Sequence, residues 1–204
     1  MDTAIAAAPD AGTRTYTIHR YPTQLIDRWE LEDGRVVTLR PVLPQDGALE
    51  QDFVRGLSAQ SRYARFLASV TELPPRLIAY LTAIDYVRHL ALVAEVTVYG
   101  TPLLVGDARY VLDAPAAGAA VGADFAIAVA DDWQASGIGS RLLRGLEGAA
   151  RAAGVARLHG DVLGSNRKAL AFMTARGFSV RPHPEEARLV RVEKDLRLAP
   201  GSGA

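Results

Sequence analysis

The sequence predicts an α/β (α+β) fold: a mixed, mostly antiparallel central sheet flanked by helices. Three observations predict it. Apolar runs at residues 89–98, 103–112 and 122–130 follow one another with only short turns between, the pattern of sequential antiparallel strands. Ile138, Leu142, Leu146, Ala149 and Ala153 then recur at helical spacing between two strand-like runs, which makes a late β-α-β unit. Hydrophobic residues make up 49% of 204 residues, enough for one real core of ordinary domain size.

In chain order, residues 1–14 are expected as a flexible tail, as are residues 199–204, leaving residues 15–198 as a single domain. Asp33-Gly34, between runs at 25–31 and 36–39, predicts a hairpin. Pro44 suits the first turn of a helix to Leu57, with Leu49, Phe53 and Leu57 on one face. Ser61-Arg62-Tyr63-Ala64-Arg65-Phe66 follows, and Pro74-Pro75 opens a second short helix to about Thr82. Three strands come next, with Thr101-Pro102 punctuating the first pair and residues 113–118 the second. Gly154 stops the helix that starts near Ile138. Residues 157–163 form a strand, Ser165 or Asn166 caps a helix to Arg176 with Gly177 as its stop, and residues 189–196 form a last strand.

Composition excludes several functions. Lys plus Arg is 23 and Asp plus Glu is 23, so the net charge of +0 gives no general basic surplus, and no nucleic-acid binding is expected. The absence of cysteine removes disulfides, Cys-ligated zinc and any acyl-cysteine intermediate. His19, His89, His159 and His183 stand at no metal-ligand spacing and read as structural or solvated, so no metal is expected. No run reaches the roughly 18 apolar residues of a membrane span, and the N-terminus lacks the features of a signal peptide. A cytoplasmic protein without membrane contact is the expectation.

Chemistry concentrates in Gln134-Ala135-Ser136-Gly137-Ile138-Gly139-Ser140, a glycine-bearing turn between a strand and an amphipathic helix. Gly137 and Gly139 remove side chains where backbone must approach a ligand closely. The helix behind them offers unpaired N–H groups and a positive dipole end, an anion site suited to a pyrophosphate. A plain strand-loop-helix with glycines for the turn is the bland alternative. A Walker loop is absent, and the dinucleotide fingerprint is incomplete because Leu142 stands in place of its third glycine.

Gln134 to Gly139 resembles the Q-x-x-G-x-G motif of the GNAT acyltransferases. Val162-Leu163-Gly164-Ser165-Asn166, then Phe172 and Gly177-Phe178, resembles that family's second signature, and two motifs in order are far more specific than one. Leu39-Arg40-Pro41 with Asp46, Ser61 to Phe66, Asp107-Ala108-Arg109 and Ala123-Asp124-Phe125-Ala126 are similar to the Pat-type bacterial protein-lysine acetyltransferases. That subgroup often carries the domain fused to other modules; here it is read as standing alone.

The resemblance implies a GNAT fold, splayed between the fourth and fifth core strands, which end near Ala130 and Leu163. It implies acetyl-CoA as cosubstrate, with its pantetheine arm against the backbone of Ile127 and Val129 and with Gln134 in the binding turn. It puts the pyrophosphate on the N–H groups of Gly137, Gly139 and Ser140, and Asn166 against the pantetheine; Asn166 also reads as an ordinary helix cap. Arg141 and Arg144 either touch CoA phosphates or are solvated, and Arg62, Tyr63, Arg65 and Phe66 either line the acceptor side or form a solvated helix edge.

The implied reaction acylates an amine, a protein lysine or a small molecule, directly in a ternary complex. Deprotonating a lysine amine of pKa about 10.4 at pH 7 costs about 4.6 kcal/mol, so a base is needed. The Val129 N–H is the candidate donor to the developing oxyanion. Asp124 stands where the Pat-type relatives place a glutamate, and two readings of it weigh equally: a general base acting through water, or the ion-pair partner of an arginine such as Arg109. Phe172 takes the expected place of a tyrosine general acid and reads as core packing, since a phenyl ring donates no proton. A non-catalytic acyl-CoA sensor is the rival function, and an interaction domain with an empty pocket is a third that the phosphate turn argues against. Monomer and homodimer are both left open.

Overall fold

The computed structural model describes residues 20–115 and 120–197; the two expected tails, residues 1–14 and 199–204, lie outside them. Eight strands form one sheet: β1 (Asp27–Glu30), β2 (Val36–Pro41), β3 (His89–Val98), β4 (Thr101–Leu112), β5 (Gly122–Val129), β6 (Arg157–Leu163), β7 (Ser179–Pro182) and β8 (Leu189–Asp195). Among the described residues five α-helices flank it: α1 (Gly47–Gly56), α2 (Ala59–Phe66), α3 (Pro75–Thr82), α4 (Ile138–Ala152) and α5 (Arg167–Thr174). The strand order is β1-β2-β3-β4-β5-β6-β8-β7. Every neighbouring pair is antiparallel except β5 and β6, which α4 joins as a parallel crossover.

Strand alternation builds two cores. Leu90, Leu92, Ala94 and Val96 of β3 point to α4, where Ile138, Leu142, Leu143 and Leu146 meet them. Ala91 and Val93 point the other way, to Phe53, Val54 and Leu57 around α1 and to Leu81 of α3. Truncating Leu142, fully buried in the first core, to alanine should cost about 2–5 kcal/mol. Gly106 fixes how closely α4 sits: a Cβ there would lie 2.7 Å from Leu142 Cδ1 and 3.3 Å from Ile138 Cγ2. The absence of that carbon lets the start of α4 settle onto β4.

Two details differ from the sequence expectation. The β3–β4 turn is Tyr99-Gly100, with φ of 48° and 82°, and not Thr101-Pro102. A two-residue hairpin of this hand needs positive φ at both positions, and the fully exposed Tyr99 side chain tolerates it. Thr101 and Pro102 instead begin β4, opposite Val98 and Thr97. Strand β7 was also unexpected; all four of its residues are exposed, so no buried alternation marks it.

The β5–β6 ladder stops early. It holds three rungs, Gly122 with Arg157, Ala123 with Leu158 and Asp124 with His159. Beyond them residues 125–129 pair only with β4, and residues 160–163 only with β8. Gly160 stands at the fork, where a Cβ would meet the Phe125 carbonyl oxygen at 2.7 Å. No helix among the described residues is long and apolar enough to cross a membrane.

Candidate active site

A cavity of about 850 Å³ opens where the two strands part. One wall is the unpaired edge of β5. Ala130 N–H bonds the Val105 carbonyl at 2.9 Å, and strand backbone groups alternate between neighbours, so those of Val129 and Ile127 face the gap. The Val129 carbonyl there accepts a 3.3 Å bond from Gln134 Nε2, which ties the turn back to its strand.

The turn ends at the N-terminus of α4. Gly137 precedes the helix with φ 86° and no side-chain cap. Ser140 N–H closes onto the Gly137 carbonyl at 3.1 Å, while the N–H groups of Ile138 and Gly139 have no backbone acceptor among the described residues. The glycines therefore serve differently from the expectation of close approach at both. A Cβ on Gly137 would meet nothing within 4 Å, so its need is the left-handed backbone. A Cβ on Gly139 would touch Phe172 and Val129 at 3.5 Å, an ordinary contact with no room beyond it on that side.

Helix α5 supplies the facing wall. Asn166 caps it, its Oδ1 accepting from Ala169 N–H at 3.1 Å, so the helix-cap reading holds, and its amide NH₂ has no partner among the described residues. Phe172 and Met173 line the cavity, as do Arg167, Lys168 and Arg176. Of the residues singled out in the sequence, Ile127, Val129, Gln134, Gly137, Gly139, Ser140 and Asn166 all line this cavity.

Asp124 does not line it. It sits on the last rung, with 65% of its side-chain surface open and its carboxylate 3.9 Å from His159 Nδ1. Arg109 is not its partner: that guanidinium is buried against Asp107 and Glu50. Partial burial raises the Asp124 carboxyl above its ordinary value, Asp161 and Asp113 add to the shift, and His159 opposes it. Asp113 in turn holds the other ring nitrogen of His159 at 2.8 Å.

The sheet divides the site's charges between its faces. Phe125, Ile127, Val129 and Leu158 pack toward α4, so by alternation Asp124, His159 and Asp161 project from the opposite face. Asp161 lines the cavity and accepts from Arg191 at 3.0 Å and 3.2 Å. It went unassigned in the sequence, although the alternation Arg157, His159, Asp161 marks a polar face. The cations of α5 lie with α4 on the other face.

Helix α2 borders the carboxylate face. Gln60, Ser61, Ala64 and Arg65 line the cavity, whereas Arg62, Tyr63 and Phe66 do not. No α2 residue is fully buried; polar bonds hold the helix. Asp131, just after β5, accepts from Ser58 N–H at 2.8 Å, Ser58 Oγ at 3.0 Å and Ser61 Oγ at 2.7 Å. Its slight burial works against ionisation, but these bonds outweigh that and hold the carboxyl below its usual range. Arg65 donates to Asp107 at 3.1 Å and so joins a buried group with Arg109 and Glu50. Burial alone would raise Asp107, but the Arg109 and Arg65 guanidiniums outweigh it and hold that carboxyl low. Burial pushes Glu50, whose Oε2 has no partner, up to about 8, with Asp107 adding to the rise and Arg109 opposing it. Arg141 pairs with Asp27, and both Arg141 and Arg144 line a separate, smaller hollow.

Comparison with known proteins identifies the arrangement. The model of the Acetyltransferase (GNAT) family matches residues 60–178. Acetyltransferase PA5475 of Pseudomonas aeruginosa is 34% identical over 167 residues, covering 80% of this chain and 87% of the relative. Acetyltransferase Pat of Mycolicibacterium smegmatis is 34% identical over 137 residues, 67% of this chain but only 39% of that protein. The crystal structure of the GNAT domain of S. lividans PAT superposes with a TM-score of 0.76 at 29% identity, covering 86% of this chain and 99% of that one. The structure of yncA from Salmonella typhimurium, solved with its cofactor acetyl-CoA, shares the fold at a TM-score of 0.63 and 19% identity, covering 82% of this chain and 98% of that one. With more than half its length matched by the family model and its sheet shared with these structures, the chain belongs to the GNAT acetyltransferase family.

Proposed function

We propose that this acetyltransferase takes acetyl from acetyl-CoA and passes it in one direct step to a cationic amine, a protein lysine or a small molecule. The observation that carries this is the gap through the sheet, with a free strand edge and an uncapped helix N-terminus on it and the cations of α5 beside that helix. The residues fit the donor. Ile127 and Val129 offer backbone to the pantetheine amides, Asn166 offers its amide NH₂, and the start of α4 offers N–H groups to the pyrophosphate. Bound there, acetyl-CoA supplies an activated thioester carbonyl.

The protein's own residues do the rest. Asp124, on the face opposite α4, attracts an ammonium; Asp161 beside it is already paired with Arg191. Asp124 then takes the amine's proton through a bridging water, which the open surface around its carboxylate admits. Val129 N–H, turned into the gap, donates to the oxygen on which charge develops. No cysteine is present to carry an acyl group, so the simplest scheme is direct attack: the C–N bond forms, the C–S bond breaks, and CoA leaves as a thiolate that takes up, through water, the second proton shed by the nitrogen.

The test is an acetyl-CoA consumption screen over amino acids, polyamines, other small amines and lysine-bearing proteins. Release of CoA with at least one of them is the expected result. Tight acetyl-CoA binding with no turnover on any would instead support the sensor reading, which two observations favour: Asp124 lies outside the cavity wall, and Phe172 lines it without a proton to give.

A further inference from the structure

Arg176 is a half-buried cation with no carboxylate within ion-pair distance among the described residues. Three neutral contacts fix it instead. Its Nη1 donates to the Phe172 carbonyl at 3.2 Å, its Nη2 donates to Ser140 Oγ, and its guanidinium lies 3.7 Å from the centre of the Phe172 ring. The same ring lies 3.5 Å from where a Cβ on Gly139 would stand. An unpaired positive charge is thus held at the first turn of α4, beside N–H groups with no acceptor, on the wall of the cavity. Arg65 is spent on Asp107 and Arg191 on Asp161; Arg167 and Lys168, also on the wall without an ion-pair partner among the described residues, stand at the start of α5 and bond nothing on α4. A cation that neutral groups hold in place keeps its charge for a ligand, and the guanidinium fork matches two phosphate oxygens.

We propose that Arg176, resting on the Phe172 ring, reads the pyrophosphate of the donor and makes the chain select CoA thioesters over pantetheine thioesters that lack a diphosphate. This rests on acetyl-CoA being the donor. It also gives Phe172 a role: where a tyrosine would serve as an acid, the phenyl ring is a platform for a cation.

The experiment measures binding of acetyl-CoA, acetyl-dephospho-CoA (no 3′-phosphate) and S-acetylpantetheine (no phosphate) by competition calorimetry, in wild type, R176A and R176K. Arg176→Ala should weaken both CoA forms about ten- to a hundredfold, the range of one charge-assisted hydrogen bond. It should leave S-acetylpantetheine unchanged and flatten the salt dependence of acetyl-CoA binding; Arg176→Lys should recover part of both. Equal loss for all three donors, with the salt dependence intact, would mean a merely structural arginine. Unchanged acetyl-CoA affinity would overturn the proposal, and so would an effect that vanishes with acetyl-dephospho-CoA, which would place Arg176 on the 3′-phosphate. If the folded wild type binds no acetyl-CoA, it is the donor reading that fails.

Discussion

The two strand-to-helix junctions at the gap are built to opposite ends. After β5 the chain turns through Gly137 at φ 86° into a 15-residue helix that no side chain caps. After β6 it turns into an eight-residue helix that Asn166 caps with its own carbonyl oxygen. Both helices leave amide hydrogens without helical partners at their starts, and a buried or half-buried amide costs free energy unless something accepts from it. The second junction satisfies one of its own; the first leaves the N–H groups of Ile138 and Gly139 without a backbone acceptor among the described residues, with Gly139 on the cavity wall. The longer helix also carries the larger buried face, anchored by Ile138, Leu142 and Leu146, so its open end is held by packing and not by a cap. Stability at one junction comes from its own polar groups, and at the other from the core.

The sharpest break of this contrast is at Gly139. Gly139→Val should abolish measurable acetyl-CoA binding, because its branches run into Phe172, Val129 or the space over the helix end. Gly139→Ala, with its Cβ at ordinary contact distance, should stay within a few-fold of wild type by titration calorimetry. Gly137→Val should also lose binding, through the strain of a branched residue at positive φ. A folded Gly139→Val variant with unchanged affinity would show that the first junction holds no phosphate.

Between the junctions, Asp124→Asn keeps size and removes basicity. Once an acceptor is known, turnover near neutral pH should fall by about 10²- to 10⁴-fold with acetyl-CoA affinity retained. Because burial raises the Asp124 carboxyl, it loses its charge at a higher pH than an ordinary aspartate as acid is added. The wild-type rate should therefore show an acid limb above the ordinary aspartate range, and Asp124→Asn should lack that limb and regain rate at high pH, where the amine ionises unaided. A pH–rate profile identical to wild type would remove Asp124 from the mechanism.

At the capped junction, Asn166→Ala should destabilise the fold by about 1 kcal/mol, read by urea unfolding. Asn166→Asp keeps the capping oxygen but not the NH₂ group, so it should keep stability and lose acetyl-CoA affinity a few-fold. Unchanged affinity in both variants, with stability lost only in Asn166→Ala, would make Asn166 a cap and nothing more. The smallest effect belongs to Ala135, whose φ of 61° in the first turn suits glycine better. Ala135→Gly should relieve left-handed strain and raise stability by roughly 0.5–1 kcal/mol; a lower melting point would mean that the turn needs alanine's stiffness.

How much of this was legible depended on whether a feature was local. The runs at 89–98 and 157–163 matched their strands because apolar alternation and flanking turns lie within the segment itself. The uncapped turn was readable from its glycines and the following heptad-like spacing. Strand β7 was not, since four exposed residues at a sheet edge carry no burial pattern. Nor were Asp161, Asp131 and Arg176: what matters about each is a partner or a cavity brought close by sheet register, such as Ser61 lying 70 residues from Asp131. The family motif pointed to Asp124 but not to its setting, because that His159 faces it follows from the three-rung parallel ladder alone.

The buried group of Glu50, Asp107, Arg109 and Arg65 constrains how this chain can drift over generations. Its members come from α1, β4 and α2, and the two buried guanidiniums are tolerable only beside the carboxyls, Asp107 above all. Removing Asp107 leaves Arg65 without a carboxylate and Arg109 facing only Glu50, at a cost of about 3–5 kcal/mol, whereas replacing the set by apolar residues of like volume costs little. Substitutions here are thus strongly epistatic: a viable lineage changes these positions in concert, or holds them still while the surface around them diverges. Arg65 extends that bond to the cavity wall, so the acceptor side of the site inherits the slow clock of the core.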